Sequence, residues 1–137
     1  MKKVEVWTDG ASRGNPGQAS FGTICEVDGK LTFQDCYEIG IKTNNAAEYA
    51  SLIYALSKLI KLGLENEDVT IKSDSQLMVR HMSGEYKLKT KELLEYFLTA
   101  QNLFSRFTSC KIIHVGREHN KSADRMANLA FGQGDEK

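Results

Sequence analysis

A chain of 137 residues with 41% apolar and 26% charged positions suffices for one globular domain around a single core and argues against a second. Its 18 lysines and arginines balance 18 aspartates and glutamates, so the net field advertises no polyanionic partner, and any nucleic-acid affinity must come from local patches. No apolar run is long enough to cross a bilayer, and MKKVEVW passes straight into strand-like alternation without a signal-peptide stretch, so a cytoplasmic location away from membranes is expected.

Residues Val4 to Thr8 alternate apolar and polar, and Phe21 to Val27 resume the pattern. Asp28-Gly29, a dipeptide suited to a two-residue hairpin, leads into a third strand over Leu31 to Ile39. Between Ala46 and Leu62 apolar residues recur at three-and-four spacing, with Asn44 and Asn45 as start signals and Gly63 as the stop, which predicts the longest helix. A strand over Val69 to Ser73, a helix over Ser75 to Met82, a helix over Lys91 to Phe107, a strand over Lys111 to Val115 and a helix over Ser122 to Phe131 complete the order βββαβααβα. That order implies an α/β domain: a mixed five-stranded sheet, three antiparallel strands then parallel crossovers, with helices on both faces. Residues 1–131 form the domain and the polar residues 132–137 a flexible tail. Cys25, Cys36 and Cys110 are odd in number and lack CxxC spacing, so they read as small buried hydrophobes without a role. Nothing demands more than a monomer.

Four acids stand at element boundaries, and each has an ordinary explanation. Asp9 precedes Gly10 as a turn aspartate would. Glu48 lies three residues after Asn45, the spacing of a capping-box partner. Asp74 sits between a strand and a helix, where aspartates cap. Asp124 falls in the first turn of the last helix, where a negative charge meets the helix dipole at a gain of about 0.3–1 kcal/mol. Their joint placement says more. If the first strand and the Val69 strand are parallel neighbours, Asp9 and Asp74 leave the same edge of the sheet, and Glu48 and Asp124 begin helices that can face it. Such edges, at the carboxyl ends of strands, hold the ligand sites of open α/β sheets. Four carboxylates gathered without a cation would repel one another, and an oxygen-only donor set without cysteine or clustered histidine suits Mg²⁺ or Mn²⁺. The implied substrate is a phosphate ester.

The segments Thr8-Asp9-Gly10-Ala11-Ser12-Arg13-Gly14-Asn15-Pro16-Gly17, Thr43-Asn44-Asn45-Ala46-Ala47-Glu48, Ser73-Asp74-Ser75-Gln76 and Asn120-Lys121-Ser122-Ala123-Asp124 closely resemble, in order, the motifs of the type 1 ribonuclease H family. The resemblance implies a ribonuclease H-like fold and a magnesium-dependent endonuclease that hydrolyses the RNA strand of RNA/DNA hybrids, leaving 5′-phosphate and 3′-hydroxyl ends. Two metal ions, Mg²⁺ with Mn²⁺ as a substitute, would be held by Asp9, Glu48, Asp74 and Asp124. It also implies that Asn15, Asn44, Asn45 and Gln76 contact the substrate, in part through the 2′-hydroxyls that mark RNA, and that Thr43 meets a phosphate of the DNA strand.

The chain departs from the family pattern at two places. Residues Ser83 to Thr90 are too few for the basic protrusion of some members, although Arg80, His81, Lys87, Lys89 and Lys91 still cluster there and can contact a nucleic-acid backbone. The pattern is the family's short form, without that protrusion or an N-terminal hybrid-binding domain. In the loop before Asp124, His119 is the nearest candidate for the histidine that assists proton transfer or product release in many relatives. Activity on double-stranded RNA, and a catalytically silent nucleic-acid-binding module, are the alternative readings.

Overall fold

The computed structural model describes residues 1–85 and 91–135, with the side chains of 132–135 excepted. The expected element order is present: β1 (Lys3–Gly14), β2 (Gly17–Val27), β3 (Lys30–Lys42), α1 (Asn44–Lys61), β4 (Asp68–Ser73), α2 (Gln76–Met82), α3 (Lys91–Phe104), β5 (Ser109–His114) and α4 (Lys121–Asp135). The strands form one sheet in the order β3-β2-β1-β4-β5. β1 to β3 pair antiparallel, while β1–β4 and β4–β5 are parallel.

Local chemistry explains the joints. Val27 pairs with Lys30, leaving Asp28 and Gly29 as the two turn residues at φ +52° and +81°, the left-handed pair a tight hairpin of this hand requires. Helix α1 is closed by Gly63 at φ +74°, with Gly63 N donating to Ile60 O at 3.0 Å and Leu64 N to Leu59 O at 2.9 Å. Its start differs from expectation: the N-cap is Thr43, whose Oγ1 accepts from Ala46 N at 3.2 Å, one residue ahead of the two asparagines.

Several boundaries moved for physical reasons. β1 runs six residues past Thr8, because the polar stretch from Asp9 to Gly14 has no apolar alternation to announce it yet keeps its backbone paired to β2 as far as Gly14↔Gly17. α3 ends at Phe104 and β5 starts at Ser109, each earlier than the apolar pattern suggested. α4 continues through Gly132 to Asp135, past the expected stop at Phe131, since no proline interrupts its ladder; of the expected tail 132–137, only 136 and 137 lie outside the described residues.

The main core lies between the sheet and α1 with α3. Val4, Val6, Cys25, Val69 and Ile71 project onto Tyr49, Leu52, Leu56 and Leu59, all with at most 1% of their surface exposed. The opposite face carries α4, whose buried Ala123, Ala127 and Ala130 lie against β2. Ser20 Oγ donates to Ala127 O at 2.5 Å, and Gly22, two residues on and so on the same face, touches the same helix. Cys25 is buried as expected, but Cys36 and Cys110 are only partly so. Among the described residues no helix is long and apolar enough to cross a membrane.

Truncating Leu52 at the centre of this core should cost about 2–5 kcal/mol, whereas Leu98→Ala on the exposed side of α3 should stay within about 0.5 kcal/mol. Urea unfolding followed by circular dichroism would test the contrast.

Candidate active site

The parallel β1–β4 ladder ends at Thr8↔Ser73, so Asp9 and Asp74 are the next residues outward on neighbouring strands. They leave the sheet at one edge, as expected, although Asp9 lies inside β1 and not at its end. Glu48 comes from the second turn of α1. With Thr43 as the cap, it is displaced from the capping-box position and instead accepts from Gly10 N through Oε1 at 2.5 Å. Gly10 makes that approach possible: a Cβ there would run into the backbone of Ala47 and Glu48. Asp74 is not a cap either. Ser75 Oγ accepts from Met78 N at 3.2 Å, and Ser73 Oγ accepts from Ser75 N at 3.0 Å.

Carboxylate oxygens of Asp9, Glu48 and Asp74 lie within 4.8 Å of one another, a group that could hold a metal ion. Asp124 stands beside this trio in the first turn of α4, exposed on its outer side and in hydrogen-bonding contact with Asp9. Asn120 anchors that turn: buried, it donates from Nδ2 to Thr8 O at 2.9 Å, while its carbonyl accepts from Asp124 N at 3.1 Å.

Crowding is visible in the electrostatics. Burial, then the charges of Asp74 and Asp124, push Asp9 up from 3.8 to about 8, partly opposed by its hydrogen bond with Glu48. Glu48 is also raised well above its ordinary value, first by burial and then by Asp9 and Asp74, with the Gly10 N–H acting against the shift. With Asp9 and Glu48 held back from ionising by burial and by neighbouring carboxylates, this oxygen-only donor set is one whose crowding a hard divalent cation would relieve.

The four acids line one cleft of about 600 Å³ together with Gly10, Asn44, Asn45, Ser75, Arg117, Glu118 and Lys121. Of the expected substrate contacts, Asn44 and Asn45 are in the wall. Asn15, Thr43 and Gln76 lie outside it, Asn15 spending its Oδ1 on Asn44 N at 2.9 Å and Thr43 its hydroxyl on the helix cap. His119 is not brought to the acids: it opens on a separate pocket with Trp7, Ile24 and Glu26, its side chain 73% exposed and 3.8 Å from Glu118. Arg117, from the same 3₁₀ turn, reaches the cleft instead. Sequence reasoning missed Arg117 and Lys121, and their nearness to the Asn120–Asp124 segment was the available signal. The expected basic cluster is also corrected in part. His81 is buried against Tyr49, with the hydroxyl and Nδ1 3.1 Å apart and burial lowering its pKa, so it is no surface cation. Lys87 and Lys89 lie outside the described residues.

Known proteins carry the same architecture. A family model described as reverse transcriptase-like matches residues 7–130. The crystal structure of RNase H1 from Halobacterium salinarum superposes with a TM-score of 0.90 at 36% identity, covering 96% of this chain and 98% of that one. The chain belongs to the type 1 ribonuclease H family. LC11-RNase H1, solved in complex with an RNA/DNA hybrid, gives a TM-score of 0.89 at 35% identity over 96% of this chain and 98% of that one. The bifunctional protein Rv2228c of Mycobacterium tuberculosis is 40% identical over 131 residues, 94% of this chain and 35% of that protein. The ribonuclease HI of H. salinarum is 36% identical over 94% of this chain, which spans 64% of it. The ribonuclease H fold thus accounts for the mixed sheet and for the edge at which the acids meet.

Because the folded pKa of Asp9 is raised, the metal-free native state binds more protons than the unfolded chain between 3.8 and about 8. The stability contribution is therefore full below that window and lost as pH rises through it. The metal-free melting temperature should fall between about pH 5 and about pH 9, and Asp9→Asn should flatten that decline and add about 0.5–2 kcal/mol at the alkaline end. Calorimetry in EDTA checks both.

Proposed function

We propose that this chain is an endonuclease hydrolysing the RNA strand of RNA/DNA hybrids in a reaction dependent on divalent metal, with Mg²⁺ as the resident ion and Mn²⁺ as a substitute. The observation that carries the reading is the convergence of Asp9, Glu48 and Asp74 within 4.8 Å, with Asp124 beside them, in an open cleft. Membership of a family with a relative solved on a hybrid supports the substrate class.

The four acids would hold the metal ions. Such ions supply a nucleophilic water at neutral pH and neutralise charge at the attacked phosphate and the leaving 3′ oxygen, which fits products with 5′-phosphate and 3′-hydroxyl ends. The protein's own groups do the positioning. The Gly10 N–H fixes the Glu48 carboxylate at 2.5 Å, so that it faces Asp9 rather than solvent. Asn44 and Asn45, at the start of α1, present amides to the cleft for 2′-hydroxyl or base-edge contacts. Asn15, Thr43 and Gln76 flank the cleft and extend the contact surface, with Thr43 offered to the DNA strand. Arg117 and Lys121 supply the cationic side of the cleft and are suited to a phosphate next to the acids. His119, exposed on the neighbouring pocket, takes no step in this reading. We take the unit that acts to be residues 1–131, as a cytoplasmic monomer.

Strand-labelled RNA/DNA, RNA/RNA and DNA/DNA duplexes incubated with Mg²⁺, Mn²⁺ or EDTA would test the assignment. Cutting confined to the RNA of the hybrid, absent in EDTA, is the expected result. Cutting of RNA/RNA would widen the substrate class, and silence on every duplex would leave a binding module only. Asp74→Asn and Glu48→Gln should each lower kcat on the order of 10²-fold or more, the scale on which a lost electrostatic stabiliser acts. Arg117→Ala should raise KM for the hybrid and steepen neither the metal nor the pH dependence, as expected of a phosphate contact.

A further inference from the structure

Gly22 stands directly opposite Asp9 in the β1–β2 ladder, and cross-strand partners share a face of the sheet. That face carries α4. A Cβ at Gly22 would lie 2.5 Å from the Ala127 amide nitrogen, 2.5 Å from Met126 Cβ and 2.7 Å from the Ala123 carbonyl oxygen. Two of those three atoms are helix backbone, which no rotamer change can move aside. The helix contributes its own closeness through Ala123, Ala127 and Ala130, each at most 3% exposed. Asp124 follows Ala123 immediately, and its carboxyl group meets Asp9 across the gap that this contact sets.

We propose that Gly22 is a positioning residue: by carrying no side chain it fixes how deeply α4 sits on the sheet, and so sets the spacing between Asp124 and Asp9 in the metal-binding cleft. The inference rests on the hydrolytic reading of that cleft. Asp9 lies within β1, Glu48 within α1 and Asp74 just past the end of β4, and the β1–β4 ladder and the Gly10–Glu48 hydrogen bond tie these three to one another without α4, so lifting the helix separates Asp124 from the trio. Gly10 performs the matching service on the opposite face for Glu48. Two glycines, one on each strand of the central hairpin, thus admit two helices from opposite sides toward one edge.

The test compares the parent, Gly22→Ala and Ser20→Ala. Ser20→Ala removes the hydroxyl that bonds Ala127 O, loosening α4 without adding bulk beneath it. Titration with Mn²⁺ alone, without nucleic acid, should show binding to Gly22→Ala weakened about tenfold. Its kcat on hybrid should fall on the order of 10²-fold with KM unchanged. Ser20→Ala should lose melting temperature but keep Mn²⁺ affinity and kcat. Asp124→Glu, one methylene longer, should recover part of both losses in the Gly22→Ala background while lowering both in the parent. If Gly22→Ala does not fold, Ala127→Val lifts the helix from its own side and is held to the same outcomes. Parental Mn²⁺ affinity and kcat in the lifted variants, or equal losses in Ser20→Ala, would overturn the proposal. Failure of the parent to cut any hybrid would remove the functional reading, and the Mn²⁺ comparison would still decide the role of Gly22.

Discussion

Crowding of carboxylates at the end of the β1–β4 ladder is the constraint around which this molecule is arranged. Asp9 is 5% exposed and Glu48 8%, and an oxygen of each lies within 4.8 Å of one from Asp74, so burial and neighbouring carboxylates together disfavour the ionised forms of Asp9 and Glu48. The result is an Asp9 pushed up to about 8 and a Glu48 raised well above its ordinary value. A fold tolerates such a cluster only if the surrounding elements hold it together against its own repulsion.

Those elements do so from two sides. Behind the edge, the core of Val4, Val6, Val69, Ile71, Leu52, Leu56 and Leu59 locks β1, β4 and α1 to one another with essentially no exposed surface. At the edge, backbone groups do the fine work: Gly10 N on Glu48, and the buried Asn120 bridging the end of the ladder to the first turn of α4. The apolar packing provides stability and the polar anchors provide geometry. The acids so restrained could hold a hard cation, and Asn44, Asn45, Arg117 and Lys121 line the same cleft, which is the basis of the phosphate-bearing duplex proposed as its substrate.

The same division governs what was legible from the chain. Asp28-Gly29 and Gly63 announced their turns because left-handed backbone has few occupants, and the three-and-four stripe of α1 announced a helix because burial on one face demands it. The polar second half of β1 escaped notice, since its strand character comes from pairing with β2 and not from its side chains. Glu48 and Asp74 looked like helix-capping residues in the sequence; only the folded backbone shows Thr43 and Ser75 taking those duties and freeing both acids for the cleft. His81 looked like a surface cation, and only tertiary packing seats it against Tyr49 in the interior.

Element order and the mixed sheet were determined by the sequence itself, because periodicity and turn chemistry are local properties, and ordered motifs pointed to four acids that the fold gathers along one cleft. Which cation-bearing residues enter the cleft, and which do not, was decided by the tertiary structure. Arg117 and His119 belong to one short turn, yet the turn sends the first toward the acids and the second toward Trp7. The fit of α4 over Gly22 and of α1 over Gly10 is likewise a matter of ångströms between distant segments. Such distances arise from packing, where the absence of a side chain matters as much as its presence, and no spacing along the chain encodes them.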